Sequence, residues 1–199
     1  MTNKIIFFDS RLEELKRLSN CFNDKCKYKD VEFDFIRTII NPDKFKATLI
    51  VSYDYEMNFG GPDDLINYIK HSCDKFDHIG IVIELDLAGK EVIEDSDFKY
   101  GIFLERIFNK ELKDYKEKIR FLFTSRIQIP ESIFNITRYD RVIFSIKPSV
   151  DKYTNNYNIH SATFNFRDID NVPQIIKKNY EERTIYGNFV GDVLSTVLY

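Results

Sequence analysis

Several residue types are scarce or missing in this chain of 199 residues. Tryptophan is absent, and there are three cysteines, Cys21, Cys26 and Cys73. An odd and small number of cysteines argues against a disulfide framework and favours reduced thiols in a cytoplasm-like compartment. Glycine and proline are also few, at seven and five, and no low-complexity linker divides the chain. We therefore expect a single domain covering residues 1–199.

Long apolar runs and an excess of one charge are missing as well. The N-terminal apolar run, Ile5 to Phe8, is far shorter than the roughly 20 residues of a membrane helix and too short for a signal peptide. The chain has 29 basic and 32 acidic residues, with a net charge of -3. A nucleic-acid partner held by a strong positive field is therefore not expected. These features predict a cytoplasmic protein that has no membrane partner.

Apolar and aromatic residues are abundant. The apolar fraction is 43%, and the chain contains 18 Phe and 12 Tyr, which is typical of a folded protein with a large core. The abundance of Asn, Ile, Lys, Phe and Tyr is typical of an AT-rich genome, such as that of a low-GC bacterium, a phage or a large virus.

The order of the apolar patterns predicts an α/β domain with a mixed sheet. Helical spacing of apolar residues follows Ser10 and Pro62, whereas Phe98 to Phe108 fits either a helix or a strand. Polar residues from Lys147 to Asn158 predict a flexible segment, and a helix is expected from about Pro173. Strands are predicted at Lys4–Asp9, Val31–Arg37, Ala47–Ser52, His78–Leu85, Ile119–Thr124, Val142–Phe144 and Asn158–Phe166.

The stretch from Ala47 to Ile69 is the strongest candidate for a binding site. A buried strand is followed by a predicted loop, Tyr53 to Gly61, which ends in the pair Gly60-Gly61. Pro62 suits the first turn of the helix that follows. Glycine-bearing loops between a strand and a helix N-terminus are common binding places for phosphates in open α/β sheets.

Three stretches in this order resemble the macro domain, the ADP-ribose-binding fold, in its small viral and bacterial variants. The first is Leu49 to Ser52 with Met57 to Gly61, which is similar to the family's strand, Asn-containing loop and Gly-Gly pair. The second is Phe121 to Arg126 with Ile129-Pro130. The third is Ala162 to Tyr180, which is similar to the family's phosphate loop and the helix behind it.

The resemblance implies a three-layer α/β/α sandwich and a ligand that is ADP-ribose or a related nucleotide. The family's phosphate loop is rich in glycine, whereas residues 165–171 contain none, which favours a non-catalytic member with a changed ligand. The residues that the resemblance implies for ligand binding are Ser52, Tyr53, Tyr55, Asn58, Gly60, Gly61, Arg126, Phe166 and Arg167.

Two alternatives stay open at this stage. The first is a structural or protein-interaction scaffold that has lost ligand binding, and the second is an ADP-ribosyl hydrolase that uses Asn58 or Asp54 to position a water. No cofactor is expected. A zinc site is not expected either, because the Cys21–Cys26 and His71–Cys73 pairs would have to converge from distant parts of the chain.

Overall fold

A computed structural model describes residues 2–22, 28, 30–52, 55–90, 94–125, 142–147, 155 and 189–198. Short 3-10 turns at Asp95–Phe98 and Lys113–Tyr115 flank the third helix. The described strands are β1 (Asn3–Asp9), β2 (Val31–Asn41), β3 (Lys44–Ser52), β4 (Tyr55–Phe59), β5 (His78–Glu84), β6 (Ile119–Ser125) and β7 (Val142–Ile146). The described helices are α1 (Leu12–Phe22), α2 (Pro62–Lys75), α3 (Lys99–Glu111) and α4 (Phe189–Leu198).

The strands form one seven-stranded mixed sheet in the order β4-β3-β2-β1-β5-β6-β7. The strands β2, β1, β5, β6 and β7 run parallel, whereas β3 and β4 add an antiparallel hairpin beside β2. Parallel neighbours need crossover connections, and α1 and α3 supply them between β1 and β2 and between β5 and β6. Numbered among themselves, the parallel strands have the order 2-1-3-4-5, which is the flavodoxin-like doubly wound order.

Two apolar clusters lie on opposite faces of the sheet, so the domain is a three-layer α/β/α sandwich as predicted. Helices α2 and α3 pack on one face against alternate residues such as Ile6, Phe8 and Ile81. Helices α1 and α4 pack on the other face against residues such as Phe7 and Val82. Successive residues of a buried strand point to opposite faces, which is why β1 and β5 read as continuous apolar runs rather than alternating ones.

Two glycines set how closely helices approach β5. A Cβ atom on Gly80 would lie 2.0 Å from Oγ1 of Thr196 in α4. A Cβ atom on Gly101 of α3 would lie 2.7 Å from the carbonyl oxygen of Glu84 and 2.7 Å from Cα of Leu85. Each contact is close because one partner has no side chain: Gly80 of β5 opposite α4, and Gly101 of α3 opposite the end of β5.

The prediction of a loop over Tyr53 to Gly61 was wrong, because most of this stretch is the strand β4. Its residues alternate apolar Tyr55, Met57 and Phe59 with polar Glu56 and Asn58. That period of two is the ordinary signal of a half-exposed strand, and it outweighs the turn tendency of the glycines that follow.

Other expectations had mixed outcomes. The segment from Phe98 to Phe108 is mainly helical, and the strand at Val142–Phe144 is confirmed as part of β7. Lys147 was expected in a flexible polar segment, but it is 5% exposed. The predicted strand at Asn158–Phe166 and the helix near Pro173 lie outside the described residues.

Candidate functional site

The strand order places a crevice at the carboxyl ends of β1 and β5. From β1 the chain turns to β2 on one side, while β5 lies on the other side, so the connections diverge at this point. In open α/β sheets, ligands bind where the connections diverge in this way. The chain leaves the sheet here at Asp9 and Ser10, where β1 ends, and from Glu84 to Asp86, where β5 ends.

A row of polar side chains crosses the sheet at this edge. Glu84 of β5 pairs in register with Thr124 of β6, which pairs with Ser145 of β7. Asp9 extends the row into β1, because it follows the register pair Phe8–Ile83 just as Glu84 does. Each of the four is at most 1% exposed. By strand alternation, the row lies on the face that α1 and α4 cover.

Lys147, directly after β7, neutralises part of this row. Its ammonium group donates a hydrogen bond to Oδ2 of Asp9 and lies 2.6 Å from Oε2 of Glu84. Thr124 donates its hydroxyl hydrogen to the same Glu84 oxygen over 3.3 Å. Farther along the row, the Ser145 hydroxyl donates to Asp192 of α4 over 2.8 Å. The cluster thereby ties together the carboxyl ends of four strands and one helix.

The electrostatics keep Lys147 protonated. Burial alone would lower the pKa of this ammonium group, but the negative charges of Asp9, Glu84 and Glu14 outweigh burial and raise the pKa above its ordinary value. A lysine that acts as a base or a nucleophile needs the opposite shift. Lys147 is therefore positively charged at neutral pH.

A second layer of contacts surrounds the cluster. The Ser10 hydroxyl donates to the carbonyl oxygen of Asp86 over 3.2 Å, and Nε of Arg37 donates to the carbonyl oxygen of Ser10 over 3.2 Å. Nη2 of Arg11 donates to the carbonyl oxygen of Lys90 over 2.6 Å and lies 3.7 Å from the Asp86 carboxylate. The arginines at the crevice thus already bind groups of their own chain.

The N-terminal half of α1 borders the cluster. Glu14 is 3% exposed and pairs with Arg17 one turn later. Arg17 also donates to the carbonyl oxygen of Asn155 over 3.0 Å and to its side-chain oxygen. Asn155 has a φ of 56°, a left-handed conformation that asparagine tolerates better than most residues. The carboxylate of Glu14, whose charge helps to keep Lys147 protonated, is therefore held in place by Arg17.

Among the described residues, no three His, Cys, Asp or Glu side chains are arranged to hold a metal ion. Cys21 and Cys73 form no disulfide there. Burial raises the pKa of the Cys73 thiol to about 11, which agrees with the position of this α2 residue in the apolar core. Before α3, the carboxylate of Asp97 is buried, at 1% exposed for the residue, and lies 2.9 Å from Nζ of Lys90.

The sequence-predicted site residues lie elsewhere, on the antiparallel hairpin. Ser52 ends β3, which runs against β2, so it lies towards the amino ends of the parallel strands. Ser52 pairs with Tyr55, whereas Gly60 and Gly61 follow the far end of β4, roughly 17 Å away at about 3.4 Å per residue. One small ligand centred on the glycines would therefore not also rest on Ser52.

A carboxylate of the chain itself, that of Asp64, lies at the N-terminus of α2. The Gly60 amide donates to the Asp64 carboxylate over 2.9 Å, and a Cβ atom on Gly60 would meet that oxygen at 2.7 Å. Gly61 is the N-cap in extended conformation. Asn58 accepts a hydrogen bond from the Thr48 hydroxyl over 2.7 Å. The remaining predicted residues, Tyr53, Arg126, Phe166 and Arg167, lie outside the described part of the chain.

Sequence reasoning did not single out the cluster of Asp9, Glu84, Thr124 and Lys147. A signal was present, because each residue stands at the carboxyl end of a buried apolar run or immediately after it. Parallel strands bring such ends to one edge. To use that signal, one must know which strands are parallel and adjacent. The apolar runs themselves do not give this information.

Comparisons with protein-family models, with curated proteins and with solved structures give no match for this chain. The resemblance to the macro domain therefore stays a prediction. In the part of the chain that the structure describes, no helix has the length and apolar character needed to cross a membrane.

Proposed function

We propose that this protein is a non-catalytic interaction module, in which the charged cluster at the crevice holds the domain together. One observation carries the proposal: the Lys147 ammonium group is bound by Asp9 and Glu84 of its own chain. The side chains of all three residues are at most 2% exposed. Internal ion pairs therefore lie at the position where an open α/β sheet would place its ligand.

The chemistry of the cluster supports a structural role rather than catalysis. The raised pKa of Lys147 opposes proton abstraction and nucleophilic attack at neutral pH. The Ser10 and Thr124 hydroxyls donate to an acceptor carbonyl and to a carboxylate, respectively. Thr124 donates to a carboxylate that Lys147 already neutralises, which leaves Glu84 less able to act as a general base.

The second candidate function is that of a nucleotide-binding module, with a ligand such as ADP-ribose. Its support is the position of Arg11 and Arg37 at the crevice, because guanidinium groups bind phosphate well. Against it, Asp9, Glu84 and Asp86 would repel a phosphate that approached Lys147. The interaction module is the stronger proposal because the cationic groups near the crevice already bind groups of the chain.

Thermal denaturation with ADP-ribose, and separately with inorganic phosphate, distinguishes the two candidates. A ligand present at 100 times its dissociation constant stabilises the folded state by about 2.7 kcal/mol, which raises Tm by several degrees in a chain of this size. We expect no rise with either compound at millimolar concentration. Calorimetric titration of the same samples should show no saturable heat.

Two variants identify the source of any shift. Arg11→Gln removes a guanidinium at the crevice, and Lys116→Gln removes a charge from a side chain that is 58% exposed beyond α3. A saturable rise in Tm that Arg11→Gln abolishes and Lys116→Gln preserves would overturn the interaction module. That result would establish nucleotide binding at the crevice.

A further inference from the structure

Strand β4 lies at one edge of the sheet that the described residues form. Among the described residues, it pairs with β3 alone. Residues 55–58 are exposed, including Tyr55 at 61% and Met57 at 37%. Natural edge strands are commonly protected by proline or by charged side chains, lysine above all; the sequence YEMNF of β4 contains no proline or lysine and one charged residue, Glu56. Large apolar side chains at an unprotected edge indicate an interaction surface.

The two faces of β4 differ in character. The ring of Phe59 lies 5.4 Å from the ring of Tyr68 in α2. By strand alternation, Tyr55 and Met57 share this α2 face with Phe59, while Glu56 and Asn58 lie on the other face. The register shift in the hairpin lies between Ile50 and Ser52, so residues 56–59 pair regularly with β3. The edge therefore offers a regular strand with one apolar and one polar face.

The sequence of β4 is complementary to itself when it is paired antiparallel. A two-fold axis normal to the sheet can pass only through a pair of identical residues. If it passes through Met57, Tyr55 faces Phe59 of the other strand and Glu56 faces Asn58. Cross-strand aromatic pairs and Glu–Asn pairs are compatible neighbours. An axis through Glu56 would instead place two carboxylates opposite each other, which is unfavourable.

We propose that β4 pairs with β4 of a second copy of this chain, antiparallel and centred on Met57. The contact is isologous, since each strand gives and receives the same set of residues, and it joins two seven-stranded sheets into one continuous sheet. The register argument favours a second copy over a different polypeptide, because all five residues of β4 find a suitable partner in β4 itself. The proposal is independent of the cluster at Lys147.

Sedimentation velocity of the full chain at high micromolar concentration tests the proposal. We expect the wild-type protein to sediment with twice the mass of one chain. Met57→Lys places two ammonium groups on the axis, so this variant should sediment as a monomer. Phe103→Lys is the matched control, because Phe103 is 51% exposed on α3, and this variant should remain a dimer.

A charge exchange excludes indirect effects of the added lysine. Met57→Asp alone should also be monomeric, whereas an equal mixture of Met57→Asp and Met57→Lys should form a dimer across the axis. Far-ultraviolet circular dichroism confirms that each variant is folded. A monomeric wild-type protein would overturn the proposal and leave this edge to a different polypeptide. A dimer that survives Met57→Lys, or a mixture that stays monomeric, would overturn it too.

Discussion

Replacing Lys147 by methionine tests how the charged cluster contributes to stability. The substitution keeps a long apolar side chain but removes the cation that binds Asp9 and Glu84. These carboxylates are each 1% exposed, so little water can reach them in compensation. Removing one partner of a buried ion pair typically costs about 3–5 kcal/mol. We expect a loss of about 4 kcal/mol in the free energy of unfolding.

A loss of that size is readily measured. In a chain of this length, each kcal/mol lowers Tm by about 2–4 °C, so Tm should fall by roughly 8–16 °C. Urea denaturation followed by circular dichroism should give the same free energy with an unchanged slope. The exposed Lys116→Met is the matched control and should stay within about 0.5 kcal/mol of the wild type.

A triple variant separates lost charge from lost packing. Lys147→Met combined with Asp9→Asn and Glu84→Gln removes the cation and both buried negative charges together. The two buried charges are then no longer left without a cation, so the triple variant should be more stable than Lys147→Met alone. The amide oxygen at position 9 can still accept the hydrogen bond that the Arg11 amide now donates to Asp9. If Lys147→Met alone costs less than about 1 kcal/mol, the cluster does not hold the domain together in the way we describe.

Three further outcomes follow from the same structure. Because the folded state raises the pKa of Lys147, its stabilising effect is complete below the ordinary lysine pKa of about 10.4 and declines progressively as the pH rises from there towards the raised pKa of the folded state. The Tm difference between wild type and Lys147→Met should therefore begin to shrink above that pH. Gly101→Ala should cost about 1–3 kcal/mol by urea denaturation, because its Cβ would meet the backbone of β5 at 2.7 Å. Gly61→Ala meets no atom within 4 Å and should cost less than about 1 kcal/mol, the loss expected when alanine replaces glycine at an N-cap. Iodoacetamide at pH 8 should modify the half-buried Cys21 well before Cys73, because the buried Cys73 thiol has a pKa of about 11. Peptide mass spectrometry measures the two rates, and equal rates in the folded protein would contradict the packing of α2.

The local elements of the fold were predictable because their signals are local. The apolar run of β1, the helical spacing after Pro62 and the apolar runs of β5 and β6 each stand within a few residues. Their alternation predicted an α/β domain with a mixed sheet, whereas the three-layer sandwich was implied by the resemblance to the macro domain. The loop prediction over β4 was wrong because the glycines and Pro62 were given more weight than the alternation of Tyr55, Met57 and Phe59.

The candidate site depended on tertiary structure. Asp9, Glu84, Thr124 and Lys147 are separated by tens of residues, and each alone is an ordinary polar residue at the end of an apolar run. The order of the parallel strands makes these residues neighbours. Because they are buried between the sheet and its helices, each charged group among them needs its oppositely charged partner. By itself, the sequence determined which segments become strands and helices and that their apolar faces must be buried. The tertiary structure decided which strands are adjacent, and therefore which charges meet, because pairing between distant strands depends on the packing of the whole chain.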